Sequence, residues 1–388
     1  MSFRKLGAGT AVALTVVVGA VLGTGMAGAE QPRSSGDLLQ ADLQTLTSSD
    51  GVIGAIGMVR DGDDTPQYGA TGYGDYFNKV APDPHAKFRI GSNTKAFTAT
   101  VLLQLEAEHK LSLDDTVDHW LPGVVNQNGN DGTKITVREL LNHTSGIPDY
   151  ATGQAMLDYG ANLNPNEQHT PQQLVDLAIA NKPTSAPGAA FNYSNTNYVL
   201  AGMVIKAVTG NDPATEIQNR IITPLGLHDT TFPTTDPNMP ANHLDGYFHV
   251  HGTFFVIRDV TASDVQFFGA AGAMVSTVDD LANFERALFS GRLLAAQQQK
   301  ELETTVPISS DPNAGSYGLG VGLVTTKCGP AWTHTGAVLG YESTWLTSAD
   351  GQRQVVVADN EFNMIENSTI DNDRLNNSVD TFCSLPQN

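Results

Sequence analysis

The stretch RIGSNTKAF, at residues 89–97, is the most informative segment for predicting the fold of this protein. This stretch places Ser92 three positions before Lys95, and side chains at that spacing face each other on one helical turn. A lysine amine beside a serine hydroxyl can accept the hydroxyl proton while the oxygen attacks a carbonyl carbon. The pair therefore predicts acyl-transfer chemistry with Ser92 as the nucleophile.

The spacing alone is a weak signal, because two residue types at a fixed offset recur by chance about once in a chain of this length. Ser2 and Lys5 satisfy the same pattern. Ser92 differs because it follows a glycine and opens an apolar run, Ala96, Phe97, Val101, Leu102, Leu103 and Leu105. That run predicts a buried helix with Ser92 in its first turn, where the helix dipole favours a developing anion. The alternative is an N-capping serine beside a solvated lysine.

The N-terminal residues have the pattern of a cleaved export signal. Arg4 and Lys5 precede an apolar stretch at residues 11–22, and Ala27-Gly28-Ala29 forms a small-residue cleavage site. We therefore expect residues 1–29 to be a signal peptide cleaved near Ala29, and the mature protein to be secreted to the extracellular space. A membrane anchor is the alternative, although glycines interrupt the short apolar stretch.

Composition limits the partners of the mature protein. The formal charge of the 388-residue chain is −20 at pH 7, and loss of residues 1–29 would make it −22. Nucleic acid and anionic membranes require a basic face, so neither is expected as a partner. The two cysteines, Cys328 and Cys383, are predicted to form a disulfide in an oxidising compartment. Two buried free thiols are the alternative. We expect a monomer with no cofactor and no metal.

Hairpin signals near both ends of the chain and helical patterns between them predict the architecture. Strands are expected at residues 52–60, 67–73, 343–347 and 354–358. Helices are expected at residues 137–141, 171–179, 198–208 and 277–288. Together they predict an α/β (α+β) fold in which an antiparallel sheet is flanked by helices and carries an inserted, mostly helical lobe.

This architecture forms one catalytic domain at residues 30–388, with a cleft between its lobes. The sheet lobe is predicted at about residues 38–110 and 256–388, and the helical lobe at about residues 111–255.

Two further motifs give Ser92 its chemical context. Tyr193-Ser194-Asn195 follows Ser92 by 101 residues, and His334-Thr335-Gly336 follows Tyr193 by 141 residues. Each motif is common alone, as Tyr76-Phe77-Asn78 shows by also fitting the pattern Y-x-N. The specificity lies in the order S-x-x-K, Y-x-N and H-T-G along one chain.

In this order the motifs resemble the serine penicillin-recognising enzymes, and within them the branch of class C beta-lactamases and secreted D-alanyl-D-alanine carboxypeptidases. The likeness includes LLNHTSGIP at residues 140–148, residues 193–202, FSGRL at residues 289–293 and both cysteines. The third motif begins with His, as in the secreted carboxypeptidases, whereas class C beta-lactamases typically use Lys. The resemblance implies a beta-lactamase/DD-peptidase-like fold and a serine-type D-alanyl-D-alanine carboxypeptidase that acts on cell-wall peptides and is acylated by penicillins.

The resemblance also implies catalytic roles for the first two motifs. Ser92 would become acylated, and Lys95 would accept its proton or keep a neighbouring base in the correct state. Tyr193 would move protons between Ser92, the leaving amine and the incoming water, coupled to Lys95. Asn195 would orient Lys95 and bind the substrate amide.

The third motif would bind the substrate along one edge of the cleft. The resemblance places His334 near Tyr193 and a substrate carboxylate, followed by Thr335, Gly336 and Ala337. The backbone N–H groups of Ser92 and Ala337 would form the oxyanion hole.

Two departures from the family pattern weaken the preference for a free C-terminal D-alanine. Ala337 stands where relatives often carry Ser or Thr, and Gly322 stands where a carboxypeptidase relative carries an arginine that grips the substrate carboxylate. A class C-like beta-lactamase, a serine esterase or a D-amino-acid amidase is therefore the alternative. A non-catalytic penicillin-fold binding protein is another.

Histidines outside the three motifs are assigned no chemistry. His143 suggests a Ser-His-Asp triad, but the chain contains no G-x-S-x-G elbow, so we interpret its segment as bracing the cleft. His243, His249 and His251 lack further ligands at metal-binding spacing.

Overall fold

The protein is described here as a computed structural model that covers residues 33–49, 51–161, 164–250, 256–362 and 368–386. The predicted signal peptide, residues 1–29, and His251 lie outside the described residues. No helix in the covered ranges is both long and apolar enough to cross a lipid bilayer.

The helices in these ranges are α1 (Ser35–Ser48), α2 (Thr94–Ala107), α3 (Val117–Trp120), α4 (Val137–Leu141), α5 (Gly153–Ala161), α6 (Pro171–Ile179), α7 (Asn195–Thr209), α8 (Pro213–Ile217), α9 (Thr223–Leu225), α10 (Val278–Phe289), α11 (Ala296–Glu303) and α12 (Ser368–Ser384). The strands are β1 (Gly54–Asp61), β2 (Gln67–Gly72), β3 (Phe88–Arg89), β4 (Tyr247–Val250), β5 (Val256–Asp259), β6 (Val275–Ser276), β7 (Val306–Pro307), β8 (Ser316–Tyr317), β9 (Gly322–Thr326), β10 (Gly329–Val338), β11 (Tyr341–Thr347), β12 (Arg353–Asp359) and β13 (Glu361–Phe362).

The main sheet has eight strands in the order β2-β1-β12-β11-β10-β9-β8-β7, and every neighbouring pair is antiparallel. The chain enters this sheet at its start and returns to it near its end, as the two hairpin signals predicted. Side chains alternate between the two faces of a strand. In β12, Val355 and Val357 pack into one apolar cluster, while Val356 and Ala358 pack into another, so both faces of the central sheet are buried.

One face of the sheet is covered by α1 and α12. Leu39, Leu43 and Leu46 of α1 are fully or almost fully buried, and their spacing places them on one side of the helix. The sequence analysis did not predict this helix. Ser34 caps it by accepting a hydrogen bond from Asp37 N at 3.1 Å. This layer stabilises the sheet on the side away from Ser92.

The predicted disulfide between Cys328 and Cys383 is confirmed. It joins α12 to the turn between β9 and β10, with the two Cα atoms 5.5 Å apart. The bond therefore ties α12 to the turn that precedes β10, the strand that carries the third motif.

The other face of the sheet packs on α10, and the central helix α2 belongs to the same apolar cluster. Most of α2 is buried on all sides, and Phe97 stacks on Phe284 of α10 with ring centroids 3.6 Å apart. Helices α3 to α9 are inserted between β3 and β4. The predicted antiparallel sheet, flanked by helices and carrying a mostly helical insertion, is therefore confirmed. The boundaries proposed for the two lobes stay predictions.

Candidate active site

Ser92 lies in a short 3-10 turn, Gly91–Asn93, directly before α2, rather than in the first turn of the α-helix. Gly91 makes this turn possible because its φ is +51°, a conformation that glycine adopts without a steric cost. A Cβ on Gly91 would lie 2.7 Å from the backbone nitrogen of Ala337. The turn therefore holds Ser92 against β10, beside the second predicted oxyanion donor.

Lys95 is fully buried one turn further along, and its Nζ contacts three oxygen atoms. The contacts are 2.8 Å to Ser92 Oγ, 2.8 Å to Asn195 Oδ1 and 2.8 Å to the Ala271 carbonyl oxygen. Burial lowers the pKa of Lys95 from 10.5 to about 7, and the negative charge of Asp149 partly opposes that shift. The amine is therefore close to half deprotonated at neutral pH.

The geometry around Nζ determines where the neutral amine holds its lone pair. The oxygens of Asn195 and Ala271 can only accept, so they take two hydrogens from Nζ. A neutral amine has no further hydrogen, and its lone pair faces the remaining neighbour, Ser92 Oγ. Deprotonated Lys95 is therefore oriented as a base toward the serine hydroxyl.

The Ala271 carbonyl is held by a loop that sequence reasoning missed. Thr98 Oγ1 donates to the neighbouring Ala270 carbonyl at 2.8 Å, and Thr94 Oγ1 accepts from Met274 N at 3.2 Å. Both threonines belong to α2, so the loop is fixed to the helix that carries Lys95. No side-chain signal marks a backbone acceptor, and only the folded structure identifies Ala271.

Tyr193 lies two residues before α7, and its hydroxyl donates to Ser92 Oγ at 2.9 Å. Burial raises the pKa of the phenol, so the hydroxyl stays protonated at neutral pH. Because the residue as a whole is still 40% exposed, its role follows from the contact with Ser92 rather than from the size of that shift. Tyr193 is in position to donate a proton toward a group bound at Ser92.

Asn195 connects Lys95 to a carboxylate that the sequence analysis did not assign. Asn195 Nδ2 donates to Asp149 Oδ2 at 3.0 Å, and Asn195 N donates to Asp149 Oδ1 at 3.1 Å. Because Nδ2 is taken by Asp149, Oδ1 must face Lys95. Burial raises the pKa of Asp149, whereas its hydrogen bonds and the Lys95 charge lower it. Asp149 thus fixes the orientation of the Asn195 amide.

The third motif lies on β10, but its histidine is turned into the protein. His334 is 6% exposed, and burial together with the Lys95 charge lowers its pKa to about 3. Its Nδ1 lies 2.6 Å from the carbonyl oxygen of Thr335, an acceptor, so Nδ1 carries the hydrogen. Nε2 must then accept from the Tyr317 hydroxyl, 2.8 Å away. His334 is therefore neutral, and both of its ring nitrogens are occupied.

The rest of the third motif forms the edge of the site. Thr335 and Ala337 are exposed, whereas Gly336 is buried. A Cβ on Gly336 would lie 2.0 Å from the Ile90 carbonyl oxygen, so only glycine allows β10 to approach the Ser92 turn this closely. The roles of Ser92 N and Ala337 N as oxyanion donors, and of this edge in substrate binding, stay predictions.

The structure thus brings Ser92, Lys95, Tyr193 and Asn195 into one hydrogen-bonded network. It gives the other histidines different surroundings. His243 contacts Asp245 at 3.1 Å and the Pro240 carbonyl at 2.7 Å. Among the described residues, no group of three histidine, cysteine or acidic side chains is arranged to hold a metal ion.

The chain is similar in sequence and in fold to known proteins. A family model described as Beta-lactamase matches residues 39–379. The chain is 27% identical over 338 residues to penicillin-binding protein 4* of Bacillus subtilis (strain 168). That alignment covers 83% of this chain and 71% of penicillin-binding protein 4*. The chain is 31% identical over 255 residues to Protein flp of Staphylococcus aureus (strain MW2), an alignment that covers 64% of this chain and 48% of flp.

Solved structures with this fold include a D-stereospecific amidohydrolase and a D-amino acid amidase. A D-stereospecific amidohydrolase from Streptomyces sp. is 41% identical with a TM-score of 0.76, over 84% of this chain and 93% of that chain. The D-amino acid amidase from Ochrobactrum anthropi SV3, complexed with D-phenylalanine, is 26% identical with a TM-score of 0.79, over 89% of this chain and 98% of that chain. By its family match, its fold and its network around Ser92, the protein belongs to the beta-lactamase family and is a serine hydrolase.

Proposed function

We propose that the protein is a D-stereospecific serine amidohydrolase, which cleaves an amide or ester whose acyl group is a D-amino acid residue. The similarity to a D-stereospecific amidohydrolase and to a D-amino acid amidase supports this substrate class. The observation that carries the choice of leaving group is the state of His334 in the third motif, whose pKa is lowered to about 3 by burial and whose two ring nitrogens both have hydrogen-bond partners.

The proposed reaction begins with Lys95 in its neutral form. Ser92 Oγ bonds to the substrate carbonyl carbon as its proton passes to Lys95 Nζ, 2.8 Å away. Backbone N–H groups of Ser92 and Ala337 stabilise the resulting oxyanion. The C–N or C–O bond then breaks, and the leaving group takes a proton from Tyr193, which is reprotonated by Lys95. Water attacks the ester by the reverse proton path and releases the free acid and Ser92.

A terminal carboxylate would find little attraction in this cleft. His334 is neutral and engaged by Tyr317. Gly322 contributes no side chain, and Ala337 no hydroxyl. Within the described ranges, no arginine is among the charges that shift the pKa values of Lys95, Tyr193 or His334. These features favour amides and esters with an uncharged leaving group over peptides that end in a free D-alanine.

A D-alanyl-D-alanine carboxypeptidase is the second candidate. It is favoured by the similarity to penicillin-binding protein 4* and by the His-Thr-Gly form of the third motif at residues 334–336. This activity requires recognition of the terminal carboxylate, which the first proposal excludes. The charge on the C-terminal group of the substrate therefore distinguishes the two candidate functions.

The test compares acetyl-D-alanyl-D-alanine with its C-terminal amide and methyl ester, with the L,L-isomers as stereochemical controls. The bond followed is the D-alanyl–D-alanine peptide bond, which is common to all three compounds. We expect kcat/KM for release of D-alanine amide or D-alanine methyl ester to exceed that for release of D-alanine at least ~10-fold, because a desolvated carboxylate would lack a partner. A preference for the free acid would support the carboxypeptidase instead. Turnover of the L,L-isomers at equal rate would contradict D-specificity, and no turnover of any substrate would favour a binding protein.

We further propose that the protein is exported, acts as a monomer on small peptides or amides, and binds neither nucleic acid nor a membrane. The Cys328–Cys383 disulfide supports an oxidising compartment. Intact mass of protein collected from the culture medium should correspond to a chain that begins near Glu30. Recovery of the uncleaved chain from the cells alone would contradict export.

A further inference from the structure

We propose that His143 is a positioning residue, which holds Tyr193 in the orientation needed for its proton transfers at Ser92. The proposal rests on the acyl-enzyme chemistry above, but not on which leaving group the enzyme prefers. His143 follows α4 in the segment LLNHTSGIP, and it touches neither Ser92 nor Lys95 through any hydrogen bond of the described residues. Its contacts converge on Tyr193 instead.

The first of these contacts fixes the backbone on both sides of Tyr193. Asn192 N donates to the His143 carbonyl oxygen at 2.8 Å, and Ser194 N donates to His143 Nδ1 at 3.2 Å. The residues immediately before and after the tyrosine are therefore bonded to the same histidine. Rotation of the Tyr193 backbone would break at least one of these bonds.

The second contact fixes the tyrosine ring. The imidazole of His143 lies against the Tyr193 ring, with centroids 4.3 Å apart and an angle of 33° between the planes. The imidazole is itself held by Tyr198, Tyr317 and Phe191, whose ring centroids lie 5.4, 5.1 and 5.7 Å away. A ring packed in this way forms a rigid wall against which Tyr193 points its hydroxyl at Ser92.

The hydrogen bonds also determine the tautomer of His143. Ser194 N–H can only donate, so Nδ1 is unprotonated and accepts, and it also accepts from Asn197 Nδ2 at 3.1 Å. The single ring hydrogen is then on Nε2, which is buried without a partner among the described residues. Burial and the Lys95 charge lower the pKa of His143 well below its usual value. The imidazole therefore adds no second positive charge near Lys95.

His143 has an unfavourable conformation as well as an unsatisfied donor. Its φ is +59°, which is uncommon for a residue other than glycine, and it is completely buried. Strain and unpaired polar groups of this kind are destabilising and concentrate at functional sites. Both unfavourable features accompany the two contacts that orient Tyr193.

The test replaces the ring while keeping the acceptor. His143→Asn retains a side-chain oxygen near the position of Nδ1 and tolerates a positive φ, but it removes the surface against Tyr193. With a slowly deacylating ester, we expect the acylation rate constant to fall about 10- to 100-fold, because small displacements of a catalytic group are costly. The dissociation constant of the noncovalent substrate complex, taken from the concentration dependence of acylation, should change less than about 3-fold. In a Tyr193→Phe background the same substitution should change the rate less than about 3-fold.

Ser145→Ala is the matched control. Ser145 lies in the same buried segment and donates to Asn197 Oδ1 at 2.6 Å, but it has no bond to Tyr193 or its neighbours 192 and 194. We expect this variant to lose thermal stability while its effect on acylation stays the same with Tyr193 or Phe at position 193. A purely structural role for His143 would give His143→Asn the same additive behaviour, and would overturn the proposal.

A measurement on the unaltered protein covers the case in which His143→Asn does not fold. Nitrogen-15 NMR of labelled wild-type protein should show His143 as the neutral Nε2–H tautomer across pH 5 to 9. A hydrogen on Nδ1 would exclude the hydrogen bond from Ser194 N and would refute the proposed role of His143 in positioning Tyr193. A wild-type protein that is not acylated would overturn the proposed function and this inference together, whereas normal acylation by His143→Asn would overturn the inference alone.

Discussion

The titration of Lys95 provides the most quantitative prediction of the proposed mechanism. Its pKa is about 7 in the structure, against 10.5 for an ordinary lysine. At pH 7 about half of the molecules therefore have a neutral Lys95, whereas an unshifted lysine would be neutral in about one molecule in 3,000. Because acylation requires the neutral amine, the rate should rise about tenfold per pH unit below pH 7 and level off above it.

The electrostatic origin of this pKa can be tested by Asp149→Asn. The Asp149 charge raises the pKa of Lys95, so its removal should move the acid limb of the pH profile to lower pH. The plateau rate should also fall, because Asn195 N and Asn195 Nδ2 donate to different oxygens of the Asp149 carboxylate, and in asparagine one of these acceptors becomes an NH2 group that cannot accept. Asp212→Asn, which removes an exposed acid paired with Lys206, should leave the limb unchanged.

The assay is kcat/KM for a reporter ester between pH 4.5 and pH 9.5, with stability checked at both ends of the range. An ester is used because its leaving group does not titrate in this interval. A profile that is flat from pH 5 to pH 8, or a limb that appears only above pH 9, would refute the assignment of Lys95 as the base. A limb that moves to higher pH in Asp149→Asn would refute the electrostatic argument.

Three further predictions concern the scaffold around the site. Replacing Cys328 and Cys383 together by Ala should lower the free energy of unfolding by about 4 kcal/mol, the loop-entropy value for a 55-residue separation; an unchanged urea midpoint would contradict this. Glu285 is buried with its pKa raised well above the usual value by desolvation, so wild-type stability should fall as pH rises above the unfolded-state pKa, by up to about 1.4 kcal/mol per pH unit. Glu285→Gln should remove that decline, and parallel stability curves for the two proteins would disprove the argument. Gly336→Ala should reduce kcat/KM at least ~100-fold, because the added methyl group would lie 2.0 Å from the Ile90 carbonyl oxygen; near-normal activity would contradict the close approach of β10.

Local signals predicted many elements of the fold well. Helix α6 spans Pro171–Ile179 as predicted, because Thr170 and Gln173 cap each other's backbone N–H groups and Pro171 occupies the first turn. The strands flanking Asp350-Gly351 were also placed within two residues of their observed bounds. Where neighbouring residues determine a helix cap or a turn, the sequence alone is sufficient to predict the element.

Features that depend on distant contacts were not predicted. Asp149 and the Ala271 carbonyl act on Lys95 only because loops far apart in the chain meet at α2. His334 is the first residue of the third motif, yet its neutral state depends on its burial and on its hydrogen bond with Tyr317. Helix α1 was not predicted, although Ser34 and Asp37 form a capping box ahead of three spaced leucines, which is a local signal for the start of a helix.

In the proposed mechanism, substrates are cleaved through an ester on Ser92. It is tested most directly by intact-protein mass after rapid mixing and acid quench with an N-acyl-D-amino acid ester, and in parallel with a penicillin. This mechanism predicts an adduct of the acyl mass on the peptide fragment that contains Ser92, and no adduct on Ser92→Ala. Undiminished hydrolysis by Ser92→Ala, or turnover by the wild-type protein with no adduct at any quench time, would contradict it.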